Sequence, residues 1–359
     1  MKRTIGKFIA CGAIALAGLG VSPHTAFAAF GTINNDAWKT TTTGNTVYAQ
    51  AHWIAKFGST YYLYGEKTQT QVSYHDAGSA GTDDSYICTN VYTSTDLINW
   101  SSAYRAVLPQ TNIAATDYMG RVCGVIKNPA GTYVMWVKYT GSAGKGVACL
   151  TSSSPTGPFV WDHLQTAVTN IYYDYPGDGS IFLDTKNGGK PYFICSDGHG
   201  RAHGYVCPFS SDYKTINAAT QVGSWIADGQ EAGNMFYTPS NGYYHYASSQ
   251  TNGYSYSYAF EVHSTNLLSG YSADGTFNGT TSTNTYWAQV TYCLPVVGSS
   301  GTTFMMACDR WQNYSTNYKN AGHGTGFHVW CPVTVTSASP TFNALATWQL
   351  DAAAGTWKN

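Results

Sequence analysis

The sequence predicts an all-β protein built as a five-bladed β-propeller. Three observations carry that reading. Helix signals are sparse, and Gly, Pro and Asn punctuate short alternating runs of apolar and aromatic residues. One hairpin motif recurs five times along the chain. A second, hydroxyl-rich motif follows the first four copies at the same place.

The hairpin motif is a glycine-containing turn followed by an aromatic and apolar strand. Its copies are FGSTYYLYGEK (57–67), PAGTYVMWVKY (129–139), NGGKPYFICSDG (187–198), SNGYYHYASSQ (240–250) and SSGTTFMMACD (299–309). The turn glycines Gly58, Gly131, Gly189, Gly242 and Gly301 lie 73, 58, 53 and 59 residues apart. The second motif is VYTSTDLINW (91–100), CLTSSSPTGPF (149–159), CPFSSDYKTI (207–216) and VHSTNLLSGY (262–271), and HVWCPVTV (328–335) follows the fifth hairpin. A small hydroxyl run and then an apolar anchor reads as one turn repeated in each unit. Five such units, each mostly strand, read as blades of four strands around an axis. A two-sheet sandwich would not predict five hairpins of one grammar.

The segment before each hairpin turn is then the innermost strand, and its first residues sit at one mouth of the channel. These segments are YAQAHWIAKF, DYMGRVCGVIKN, YYDYPGDGSIFLD, DGQEAGNMFYT and NTYWAQVTYCLPV. Each places a polar residue where the strand begins: His52, Arg121, Asp178, Glu231 and Gln289. Five polar groups aimed at one funnel, two of them carboxylates, are the equipment of glycoside hydrolysis.

The chain opens MKRTIGKFIACGAIALAGLGVSPHTAFAAF. Lys2, Arg3 and Lys7 precede an apolar core over residues 9–21, and Ala26-Phe27-Ala28 is a small-x-small cleavage site. This reads as a secretory signal peptide over residues 1–28, and a secreted or periplasmic destination follows. Residues 29–359 then form a single domain. No later stretch is long and apolar enough to predict a membrane helix. Without Lys2, Arg3 and Lys7 the balance is 15 basic against 19 acidic residues with no basic run, so nucleic acid is not an expected partner. Charged residues are only 10 % of the chain, while Tyr, Trp and Gly are abundant. Such a surface suits neutral polar ligands, of which sugars are the common case. Glutamate occurs only at Glu66, Glu231 and Glu261.

Eight cysteines follow the leader: Cys88, Cys123, Cys149, Cys195, Cys207, Cys293, Cys308 and Cys331. An even count in an exported chain permits disulfides. Several of them stand where a strand pattern wants an apolar residue, which equally fits buried free thiols. No CxxC occurs, and His199 and His203 in GHGRAHG lie in a glycine-rich turn rather than on a helix. No catalytic metal or cofactor is expected.

At these residues the chain resembles glycoside hydrolase family 43, and within it the exo-β-1,3-galactanase branch. The pieces are YYLYGEK (61–67), YTSTDLINW (92–100), YVMWVKY (133–139), SSSPTGPF (152–159), GDGSIFLD (177–184), GQEAGNMFY (229–237), AQVTYCLP (288–295), ACDRW (307–311) and WQLDAAAGTW (348–357). The resemblance implies an inverting hydrolase. Glu231 matches the general acid, and Asp178 the second carboxylate, which tunes and orients it. Most of the family carries an Asp base on the first inner strand, but AQAHWIAKF has no carboxylate. The galactanase branch lacks it too and places a glutamine on the last blade to hold water, which matches Gln289. The branch also carries an Arg before the acid, a Pro two residues after it, and a Glu-Arg pair entering the second blade. Here these are Gln230, Gly233 and Gly120-Arg121.

Substrate-binding expectations extend to Glu66, Arg121, His52, Trp53 and Trp287. Glu66 either bonds a sugar hydroxyl or pairs with Lys67 or Arg121. Trp53 and Trp287 either stack on a sugar ring or pack in the core. Asp309-Arg310-Trp311 reads as a latch of the last blade, to which His323 and His328 also belong. The resemblance also allows a structural calcium in the central channel. The expected protein is a monomer acting on β-1,3-galactan of arabinogalactan. The alternatives are an arabinofuranosidase or xylosidase of the same family and a carbohydrate-binding propeller without catalysis.

Overall fold

The computed structural model describes residues 30–72, 85–108, 117–224, 229–280, 285–311 and 328–359. The leader and His323 lie outside the described residues. The described chain is almost wholly β, arranged as five four-stranded antiparallel sheets and one three-stranded sheet. Each four-stranded sheet is a meander whose strands pair in sequence order. The first sheet runs Gln50–Phe57, Thr60–Thr68, Tyr86–Ser94 and Tyr104–Val107, and the other four repeat the plan. Their first strands are Tyr118–Lys127, Pro176–Asp184, Gln230–Thr238 and Gln289–Val297. Each of these packs against the next, and the last packs against the first, which closes a ring.

The inner strands are buried almost throughout, because neighbouring sheets cover both of their faces. The core accordingly lies in the seams between sheets. Phe182, Ile194 and Val206 meet Met235, Tyr244 and Tyr246 between the third and fourth sheets. Phe236 and Ala247 meet Val290, Met306 and Cys331 between the fourth and fifth. All eight cysteines are buried in these layers with free thiols.

Both repeated motifs have a local physical cause. Gly58, Gly131, Gly189 and Gly242 have φ of 62°, 88°, 80° and 78° at the hairpin turns, where a Cβ is disfavoured. Gly301 departs from this pattern. Its hairpin is braced from outside, Ser299 and Ser300 N–H donating to Ala353 and Ala354 carbonyls at 2.9 and 3.0 Å. The hydroxyl motif is a serine turn. The Oγ atoms of Ser94, Ser152 and Ser264 accept the N–H two residues on, at 3.1, 3.1 and 3.0 Å. The apolar anchors Leu97, Phe159, Ile216 and Leu267 are buried behind these turns.

The sixth sheet is not anticipated by the repeats. Gly31–Asn34 pairs with Thr347–Asp351, which pairs with Thr356–Lys358. The first and the last described strands therefore belong to one sheet. They also dock on the fifth sheet, where Asn35 Nδ2 and Trp348 Nε1 both donate to the Trp330 carbonyl at 2.8 and 2.7 Å.

Candidate active site

All five inner strands carry a bulge near their first residues. A bulge re-aims side chains and is common beside active sites. Ala51 and Ala232 sit in two of these bulges with left-handed φ of 51° and 58°. Such backbone costs roughly 1–3 kcal/mol and persists only where its surroundings enforce it.

The bulged ends surround a cavity of about 650 Å³. Asp178, Glu231 and Gln289 line it from the third, fourth and fifth inner strands, with Arg121 from the second. Glu66 and Lys138 join them from the second strands of the first two sheets, and Arg201 from a loop of the third.

The polar groups are tightly connected. Gln289 Nε2 donates to Glu231 Oε1 at 2.6 Å, and Trp311 Nε1 donates to Gln289 Oε1 at 2.7 Å. An indole nitrogen can only donate, so the amide has one orientation: carbonyl to Trp311, nitrogen to Glu231. Arg201 Nη1 pairs with Glu231 Oε2 and lies 3.6 Å from Asp178 Oδ2. Lys138 pairs with Asp178 Oδ1. Burial works against the charge of Asp178, but Lys138, Arg201 and Arg121 outweigh it and hold the carboxyl well below its usual range. Glu66, also buried, accepts from the Tyr118 hydroxyl at 2.7 Å.

Arg121 is buried and reaches across the ring. Its Nε donates to the Gly179 carbonyl at 3.0 Å and its Nη2 bonds the Thr291 carbonyl, one on the third inner strand and one on the fifth. Its guanidinium thus occupies the channel as a cation. The residues there do not fit a central calcium, which would meet a fixed positive charge.

Three expected sugar-binding residues lie elsewhere. His52 is fully buried, its Nδ1 3.0 Å from Asp309 Oδ1 and its Nε2 accepting from Trp330 Nε1 at 3.0 Å. The bulge explains the shift, since it puts Gln50 and Ala51, not His52, in register with Glu231 and Ala232. Trp53 is buried against the Tyr292 ring, with centroids 5.1 Å apart, beyond the cavity's wall. Trp287 is 44 % exposed and meets Tyr256 edge-on, outside the cavity lining. Among the described residues, neither His199 nor His203 belongs to a group of side chains spaced to hold a metal. In the Asp-Arg-Trp run, Asp309 and Arg310 make structural contacts and Trp311 lines the cavity.

Sequence reasoning did not find Arg201, Lys138, Tyr118 or Trp311 as site residues. Arg201 had one signal, as the only cation in the GHGRAHG loop. That loop is held by Asp197, whose carboxylate accepts the N–H groups of Arg201, Ala202 and His203 at 2.7, 2.9 and 3.0 Å. Arg201 itself is left-handed, with φ of 49°. The arginine that the resemblance expects beside the acid in sequence is thus supplied from a neighbouring sheet.

No family model matches the sequence, and no curated protein sequence matches it. Solved structures do. An exo-β-1,3-galactanase from Clostridium thermocellum superimposes with a TM-score of 0.76 at 24 % identity, over 91 % of this chain and 68 % of that one. The Phanerochaete chrysosporium exo-β-1,3-galactanase with β-1,3-galactotriose gives 0.74 at 25 %, over 91 % and 70 %. A family 43 β-1,3-galactosidase with galactodeoxynojirimycin gives 0.68 at 20 %, over 88 % and 99 %. The fold is that of glycoside hydrolases. Within that class the chain is similar to family 43, and there to the exo-β-1,3-galactanases and β-1,3-galactosidases.

Proposed function

We propose that the protein is a secreted, inverting glycoside hydrolase acting from chain ends on β-1,3-galactan. In this reading the five four-stranded sheets are the blades of a propeller, and the terminal sheet ties its first and last blades. The observation that carries the proposal is the convergence of Glu231, Asp178 and Gln289 from three inner strands in one cavity. Glu231 protonates the leaving glycosidic oxygen. Asp178, held ionised by its cations, fixes Arg201, and Arg201 fixes the Glu231 carboxyl. Gln289 orients Glu231 through its amide nitrogen. Its carbonyl has a second lone pair beside the Trp311 bond, which suits it to hold the attacking water. A neutral amide is a poor proton acceptor, so the water is positioned rather than strongly activated. Glu66 and Tyr118 supply hydroxyl-directed contacts on the cavity wall.

Two observations favour a second reading. A guanidinium against Glu231 opposes the protonated state that an acid needs, and Gly120 replaces a branch glutamate. These fit a carbohydrate-binding propeller without turnover. Incubation of the chain with β-1,3-galactan, beside Glu231→Gln, separates the readings. Galactose released by the parent and lost at least 10³-fold in the variant supports the hydrolase. Turnover only of arabinofuranosyl or xylosyl substrates moves the activity elsewhere in the family. Binding without turnover of any of these establishes the binding module instead.

A further inference from the structure

Far from the cavity, three potential ligands meet on the fourth sheet. His245 lies on the strand Tyr243–Gln250, and Glu261 and His263 lie on Ala259–Ser264. Thr238, at the far end of the strand that begins with Gln230 and Glu231, contacts the group. Seven steps along the strand separate Glu231 from Thr238, roughly 23 Å at 3.3 Å per residue. The site is therefore distinct from the catalytic mouth.

The hydrogen-bond network fixes the tautomer of His245. Asn241 Nδ2 donates to the Ser337 carbonyl at 2.7 Å, so its Oδ1 faces Thr238. The Thr238 hydroxyl has one proton, and both Asn241 Oδ1 and the Tyr243 carbonyl are acceptors for it. Thr238 Oγ1 must then accept from His245 Nε2–H, which lies 2.9 Å away. Nε2 thus carries a proton, and in the neutral ring Nδ1 presents its lone pair to Glu261 Oε1 across 2.7 Å. Two acceptors facing each other at that distance need a positive particle between them.

His263 completes the group. Its Nδ1 lies 3.3 Å from both Glu261 oxygens. The three ligand atoms fall within 4.8 Å of one another. Around a tetrahedral ion with arms of about 2.0–2.1 Å, ligand atoms sit roughly 3.3 Å apart. His245 is fully buried, Glu261 nearly so, and the His263 side chain is 19 % exposed, which leaves a way in for an ion.

We propose that His245, Glu261 and His263 bind a divalent transition metal of the zinc type. Two imidazoles and one carboxylate form a nitrogen-rich donor set that suits zinc over calcium or magnesium. Thr238 orients His245 from behind, as the partners of metal-bound histidines commonly do. The ion clamps the second and third strands of the sheet whose first strand carries Glu231. Its role is structural. Without an ion, the gap is filled by a proton shared between Glu261 and His245.

The test uses the full chain stripped with a chelator and titrated with zinc chloride by calorimetry, with thermal melting alongside. One ion per chain is expected, with a midpoint that rises at saturating zinc and falls again on chelation. Glu261→Gln and His263→Ala should each weaken uptake at least 100-fold, while His203→Ala should leave it unchanged. His263 is partly exposed, so its variant should fold even if Glu261→Gln does not. Absence of stoichiometric uptake by the parent chain overturns the proposal and leaves the shared proton. Uptake that His263→Ala does not alter overturns it equally, since the ion then sits elsewhere.

Discussion

The side-chain amide of Gln289 donates to Glu231 at 2.6 Å, and Trp311 permits no other orientation of it. A glutamine set in this way holds the carboxyl and still offers one acceptor lone pair to the cavity. Gln289→Ala should therefore lower kcat on a β-1,3-linked galactoside by about 10²-fold, within the span of positioned acid–base catalysis. Trp311→Phe keeps the amide but frees it to rotate, and a loss of roughly tenfold is expected. Steady-state kinetics of both variants checks the order. If the double variant lost the sum of the two effects, Trp311 would act by contact with the sugar and not through Gln289.

Arg201 should set the pH range of activity. A cation beside a carboxyl favours its charged form. Its removal moves deprotonation of Glu231 to higher pH. The alkaline limb of the kcat/KM profile reports loss of the acid's proton, so in Arg201→Ala that limb should move up. Arg201→Lys should restore most of the original position. A profile that keeps its alkaline limb in Arg201→Ala would assign the limb to another group.

Asp178 links the site to stability. Its folded value lies below the ordinary 3.8 because three cations outweigh its burial. For a depressed carboxyl the stabilisation is present above the unfolded value and is lost as pH falls through the folded one. Asp178→Asn strands Lys138 and leaves Arg201 with Glu231 alone, and it should destabilise the chain by about 3 kcal/mol near neutral pH. The gap between parent and variant should narrow below pH 3.8, where the carboxyl of the unfolded parent takes up a proton that the folded one still refuses. Denaturant unfolding of both proteins at pH 6 and pH 3 measures it.

The parts of this molecule set by local chemistry were readable in the sequence, and those set by long-range register were not. The hairpin glycines and serine turns repeat because each four-stranded sheet solves the same turn locally. Gly301 looks like its four counterparts, yet its conformation is decided by the turn at 351–355, more than fifty residues downstream. The first inner strand shows the same limit. Counting by polar residues selects His52, while the bulge makes Gln50-Ala51 the counterpart of Glu231-Ala232. The shared polar-Ala dipeptide was the available signal. Arg201 showed only its charge in the GHGRAHG loop for a related reason, since it reaches Glu231 from another sheet and no spacing in the chain encodes that approach.

The cysteines give a direct chemical check. All eight are buried as free thiols, and burial pushes Cys123, Cys149 and Cys331 up to about 12. Thiolate, the reactive form, is then scarce and shielded. The folded chain should leave Ellman's reagent essentially unreacted over an hour. In denaturant without reductant, the chain prepared without residues 1–28 and hence without Cys11 should titrate eight thiols. A lower count in denaturant would reveal disulfides formed on export.

Gly233 shows how closely the acid's strand is packed. A Cβ there would lie 2.4 Å from the Tyr246 hydroxyl and 3.2 Å from the Cys195 carbonyl carbon. That hydroxyl donates to the Cys195 carbonyl at 3.0 Å, tying the fourth sheet to the third. Gly233→Ala must push Tyr246 away, which breaks a buried hydrogen bond and shifts the bulge that aims Glu231. It should cost about 2–3 kcal/mol of stability and most of the activity. Tyr246→Phe removes the colliding oxygen and should by itself cost about 1 kcal/mol. If the collision is the cause, the double variant should be more stable than Gly233→Ala alone, because the second change relieves the first. Thermal unfolding of the four proteins closes the cycle. Simple additivity would place the strain on the Cys195 backbone instead, which no change at Tyr246 can relieve.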